Sequence, residues 1–107
     1  MRRIEFRVRG VTFEGRQKIL AYVAGFVAQN PGYVRSHLVP EHNPHDPNAV
    51  AVVLYIYHDG AWRPYQIGYA PRERATEIRG ILHCNPRIDC EIGCSDVYYA
   101  NIVIQYA

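Results

Sequence analysis

From residue 3 to residue 9 apolar and polar side chains alternate without a fault. Ile4, Phe6 and Val8 fall on one side, and Arg3, Glu5, Arg7 and Arg9 on the other. A period of two marks a half-buried strand, here with a basic outer face, and Gly10 ends it. The period then changes. Ile19, Leu20, Val23, Phe26 and Val27 recur at helical spacing behind the good helix formers Arg16, Gln17 and Lys18. Asn30-Pro31-Gly32 stops this helix, because the residue before a proline is pushed out of the helical region. Residues 33–39 alternate again as a second strand. Residues 40–48 gather three prolines, two asparagines and an aspartate, which predicts a stiff loop without regular structure. Residues 49–57 are almost wholly apolar and β-branched or aromatic, the pattern of a central strand buried on both faces. Asp59-Gly60 signals a hairpin that returns through residues 65–70. Pro71 then opens a short helix striped by Ala75, Ile78, Ile81 and Leu82. Residues 87–92, with Ile88, Cys90 and Ile92 inward, and residues 97–106 form a final pair of strands around Gly93-Cys94-Ser95-Asp96.

The prediction is one domain over residues 1–107, mainly β in an α+β arrangement, with about six strands and two helices. So many short strands favour a small closed or nearly closed barrel, since closure removes exposed edges. With 49% apolar and 21% charged residues in 107, the chain has enough apolar surface for a core and lacks the signature of disorder. No apolar run approaches the ~20 residues of a membrane span. The first seven residues, Met1-Arg2-Arg3-Ile4-Glu5-Phe6-Arg7, lack the apolar stretch of a signal peptide. Three cysteines suit free thiols in a reducing compartment better than a disulfide framework. An intracellular domain, cytoplasmic in a prokaryote and away from membranes, is expected.

Net charge is only +2, but unevenly spread. Residues 1–40 carry six Arg and one Lys against two acids, a net +5, and residues 41–107 carry five Arg against eight acids, a net −3. The asymmetry points to a polyanion-facing side, while a pI near 8.5 argues for weak, salt-sensitive binding. The arginine row of the first strand equally suits a solvated face. Cys90 and Cys94, with His83 and Cys84, leave a zinc set open, although their spacing departs from that of zinc knuckles. His42, His45 and Asp46 raise a metal or acid–base set, as in a metal-dependent nuclease, but no third ligand or nucleophile lies near them in sequence. With no phosphate-binding glycine loop, nucleophile elbow or H-E-x-x-H motif, neither catalysis nor a cofactor is expected. Binding is the better expectation. Nine tyrosines, three phenylalanines and one tryptophan interleave with arginine, the mixture that stacks unpaired bases and meets phosphates. Most of those rings also suit a core, but Phe13, Trp62 and Tyr69 stand in or beside Gly- or Pro-marked turns.

The order Val8-x-Gly10-x-x-Phe13, a helix, Asn43-Pro44-His45-Asp46-Pro47-Asn48-Ala49, then Ile67-Gly68-Tyr69-Ala70-Pro71-Arg72-Glu73 resembles the HIRAN family over roughly residues 4–105. The resemblance implies an OB-like barrel that binds nucleic acid, gripping the 3′ end of single-stranded DNA in a repair or replication-fork setting. It leaves open whether the domain works alone or beside a separately encoded helicase or nuclease. It implies that Phe13 stacks the terminal base and that Asp46 accepts a hydrogen bond from the 3′-hydroxyl. Asn43 would support the end nucleotide, Tyr69 would stand near the terminal phosphates, and Arg72 and Arg74 would face phosphates. His45 stands where the family commonly has an aromatic, and Thr12 where its DNA-gripping members carry a basic residue. Asp46 and Asn48 also suit capping of loop amides. The alternative function is a protein-interaction or scaffold module on the same barrel.

Overall fold

A computed structural model describes residues 1–41 and 44–107. Among the described residues there are six strands and two α-helices: β1 (Arg2–Arg7), α1 (Arg16–Gln29), β2 (Val34–Pro40), β3 (Val50–His58), β4 (Ala61–Tyr69), α2 (Ala75–Ile81), β5 (Arg87–Cys94) and β6 (Tyr98–Tyr106). They form two antiparallel three-stranded sheets, β1-β6-β5 and β2-β3-β4. The fold is therefore mainly β, as the alternation predicts.

Register follows the apolar pattern. Ile4, Ile104 and Ile88 stand side by side across the first sheet, and so do Phe6, Ile102 and Cys90. Leu38 and Val52 pair in the second sheet, as do Ser36, Leu54 and Tyr65. These inward rows meet Leu20 and Val23 of α1 and Ala75, Ile78 and Ile81 of α2 in a single core. At ~25 cal/mol per Å² of apolar surface removed from water, such packing is the main stabilising contribution. The Asp59-Gly60 hairpin has φ of +51° and +79°, the left-handed pair that its sequence predicts. Among the described residues no helix is long and apolar enough to cross a membrane.

Two expectations are corrected. The sheets do not close into a barrel: β2 and β5 present facing edges that are not paired, and α1 lies across the region between them, with Val23, Ala24 and Val27 lining it. The helix covers apolar surface that strand pairing would otherwise seal. β3, in turn, is buried on both faces only over Val50–Val52; beyond it, Val53, Tyr55 and Tyr57 are half-buried on an outer face that no helix or strand among the described residues covers. Tyrosines count as apolar in the sequence pattern, yet their hydroxyls tolerate water and their rings cover one another.

Beyond their shared core, the two sheets are joined among the described residues by one isolated backbone bridge. Arg9, just past β1, and Tyr69, at the end of β4, exchange backbone hydrogen bonds of 2.8 and 2.9 Å. A Cβ at Gly68 would sit within contact distance of the Arg9 carbonyl and 2.7 Å from Val8 Cγ1. Only glycine permits this approach, which gives the Ile67-Gly68-Tyr69 motif a physical reason.

Candidate nucleic-acid interface

The junction at Gly68 brings together residues distant in the sequence. The turn after β1 folds back on α1: Phe13 N–H donates to Gly10 O at 3.2 Å, Arg16 N–H to Phe13 O at 3.0 Å, and Arg16 Nη1 to Gly10 O at 2.9 Å. Gln17 fixes the first helical turn, donating through Nε2 to Val11 O and Tyr98 O and accepting from Tyr98 N–H at 2.8 Å. With its backbone occupied in this way, the turn leaves Phe13 58% exposed. The Arg16 guanidinium carbon lies 5.4 Å from the Phe13 ring centroid and 5.7 Å from that of Tyr69, so one cation serves both rings.

Beside this pair opens a cleft of about 300 Å³ lined by Arg9, Asp46, Ala49, Tyr69, Ala70, Arg72 and Ala75. Three alanines give a shallow apolar floor with polar groups at its rim. Asp46 Oδ1 accepts from Asn48 N–H at 3.2 Å, and Asp46 Oδ2 lies 3.6 Å from Arg72 Nε. One carboxylate oxygen thus stiffens the loop, the capping role its position suits, while the other faces a cation at the surface. Tyr69 Oη donates to Glu41 Oε2 at 3.1 Å, and Arg9 Nη2 donates to Glu73 Oε1 at 2.6 Å.

Charge at the site is balanced, with Arg9, Arg16 and Arg72 against Glu41, Asp46 and Glu73. The side chains of Arg9 and Glu73 are 60% and 61% exposed and that of Arg72 is 75% exposed. The Arg9–Glu73 pair is exposed on both sides and such pairs are worth ~0–1 kcal/mol, whereas Asp46, 27% exposed, is the more enclosed acid of the site.

Asp46, Tyr69 and Arg72, singled out from the sequence, share this cleft, and Phe13 adjoins it through Arg16. His45 is exposed in the turn preceding Asp46. Arg74 points elsewhere: Nε and Nη2 donate to Glu77 Oε1 at 3.2 and 2.9 Å, and Nη1 donates to Glu5 O at 3.1 Å. Asn43 and His42 lie outside the described residues. Sequence reasoning missed Arg9, Arg16 and Gln17. Arg9 read as one more member of the β1 row and Arg16 as a helix former, and their only sequence signal is adjacency to Gly10 and Gly15. Cys84 and Cys94 are exposed, Cys90 is half-buried, and among the described residues no three His, Cys, Asp or Glu side chains gather as metal ligands.

No curated protein and no solved structure shows a significant match to the chain. The family model for the HIRAN domain matches residues 2–105. That match runs from β1 through β6 and takes in the Gly68 junction and the cleft beside it. The chain therefore belongs to the HIRAN family, whose members are in general nucleic-acid-binding and typically non-catalytic domains.

Proposed function

We propose that this domain binds the 3′ end of single-stranded DNA, without catalysis and without reading sequence, as a handler of exposed ends in repair or at stalled forks. The observation that carries the reading is the exposed Phe13 ring beside a cleft that presents one carboxylate oxygen of Asp46 next to Arg72. The terminal base stacks on Phe13, worth ~1–3 kcal/mol irrespective of base identity. The 3′-hydroxyl donates to Asp46 Oδ2, freeing Arg72 for the neighbouring phosphate, while Arg9 and Arg16 approach the backbone from the other side. Asn43 supports the end nucleotide, the His45 imidazole stacks against it, Tyr69 forms the wall, and Arg74 reaches a phosphate only by leaving Glu77 and Glu5. A 3′-phosphate cannot donate and would set its charge against Asp46 and the nearby Glu41 and Glu73.

Anisotropy of two oligonucleotides differing only at the 3′ terminus tests this. The free hydroxyl should bind about tenfold tighter than the phosphate or better, since a hydrogen bond to a charged group contributes ~1.5–3 kcal/mol. Asp46→Asn keeps the Oδ1 acceptor for Asn48 and should abolish the preference, and Phe13→Ala should weaken both ligands. Equal affinity for the two ends in the wild type would remove the mechanism. The balanced charge of the cleft favours one other reading, a protein-interaction module. Retention of a protein partner with no anisotropy change on any oligonucleotide at low salt would establish it instead.

A further inference from the structure

The outer face of the β2-β3-β4 sheet is where β3 departs from its expected burial, and it begins at the cleft. Antiparallel partners share a face, so Val39, Ala51 and Tyr69 form one row across the three strands. The next rows are His37, Val53 and Gln66, then Arg35, Tyr55 and Pro64, and finally Tyr57 with Trp62. Tyr69, the wall of the cleft, is therefore the first member of a surface that ends at Trp62. From Ala51 to Tyr57 is six residues of β3, or ~20 Å at ~3.4 Å each.

That surface is built of rings and cations. Tyr33 and Tyr57 have centroids 5.4 Å apart, Tyr57 and Trp62 5.5 Å, and His37 and Tyr55 4.7 Å. The Arg35 guanidinium lies 4.4 Å from the Trp62 centroid, and Tyr33 is 48% exposed. From His37 to Trp62, no side chain that the three strands send to this face is a carboxylate. Half-buried rings interleaved with Arg and His match the bases and phosphates of an unpaired strand, and the nearest carboxylate at the β2 edge, Asp89 of β5, which lines a cavity with Arg35 and His37, is paired with Arg87.

We infer that this face is a second stacking surface, which takes the single-stranded nucleic acid that leaves the 3′-end cleft and carries it past Tyr69 to Trp62. The inference rests on the end-binding reading for its direction. Its length suits about six stacked nucleotides at ~3.4 Å per nucleotide, within the ~4–16 typical of small β domains that bind single strands.

Trp62 is the sole tryptophan, so the native chain reports on the face directly. A thymidine trinucleotide and a thymidine dodecamer, both with free 3′-hydroxyls, are compared by anisotropy and by tryptophan emission. The trinucleotide should bind and leave the emission unchanged, whereas the dodecamer should bind more tightly and quench it. Arg35→Ala and Tyr33→Ala, both at exposed positions, should each cost the dodecamer about fivefold or more and leave the trinucleotide unaffected. A dodecamer that binds no more tightly than the trinucleotide, with silent Trp62, overturns the inference and leaves the end reading intact. Quenching by the dodecamer with no binding of the trinucleotide supports the face and removes the end cleft. Protection of Trp62 by a protein partner and by no oligonucleotide overturns both.

Discussion

Cys90 lies on the inward row of β5 beside Ile102, and burial, reinforced by the negative charge of Glu91, pushes its thiol up to about 12. The unfolded thiol releases its proton near ~8.5. Between those values the folded state keeps a proton that the unfolded state has lost. Stability is thus fully present below about pH 8.5 and falls as pH rises toward about 12, by at most ~1.4 kcal/mol per pH unit. Urea titrations across this window should show the decline, and Cys90→Ala should flatten it. At pH 8 iodoacetamide should modify the exposed Cys84 and Cys94 about tenfold faster or more than Cys90, read by peptide mass spectrometry. Equal rates would mean that β5 is not packed as described. The sequence made Cys90 legible as an inward residue because Ile88 and Ile92 flank it at a period of two. The shared use of Arg16 by Phe13 and Tyr69 was not legible, because it depends on the Gln17 contact with Tyr98, 81 residues away.

At the scale of elements, Gly68 decides whether two strands can meet. Gly68→Ala forces a methyl group into the Arg9 carbonyl and Val8, and the strands must part. Overpacking of this kind costs ~1–3 kcal/mol or more, so the urea midpoint should fall and the Arg9 and Tyr69 amides should exchange faster. Oligonucleotide affinity should fall as well, because Arg9 and Tyr69, the two partners of the bridge, both line the cleft. An unchanged midpoint would show that the junction bears no strain. The ends of α1 could be read from sequence, since Pro31 stops the helix and the apolar positions after Arg16 keep its period. The outer face of β3 could not, because an uninterrupted apolar run does not say whether its tyrosines face a core or water. Closure was also beyond reach, since it depends on whether two edges, β2 and β5, exchange backbone hydrogen bonds, and no local pattern in either strand encodes that.

For the whole molecule, a net charge of +2 leaves little long-range attraction for a polyanion, so binding must come from local contacts. With Arg9, Arg16, Arg72 and Arg35 each meeting one phosphate of a dodecamer, log K against log salt should have a slope of about −2 to −3, at ~−0.7 per phosphate on a single strand. A slope near zero would exclude the backbone from the complex, and a much steeper one would require cations beyond these four. The open seam between β2 and β5 carries a consequence for motion. Because no strand pairing crosses it, the two halves are held together by side-chain packing in their shared core, by α1 and, among the described residues, by one isolated backbone bridge, Arg9–Tyr69, which lies at the ligand cleft. A strand seated in that cleft would tie the halves together at their one backbone bridge, slowing amide exchange throughout the domain, far from any atom that it touches.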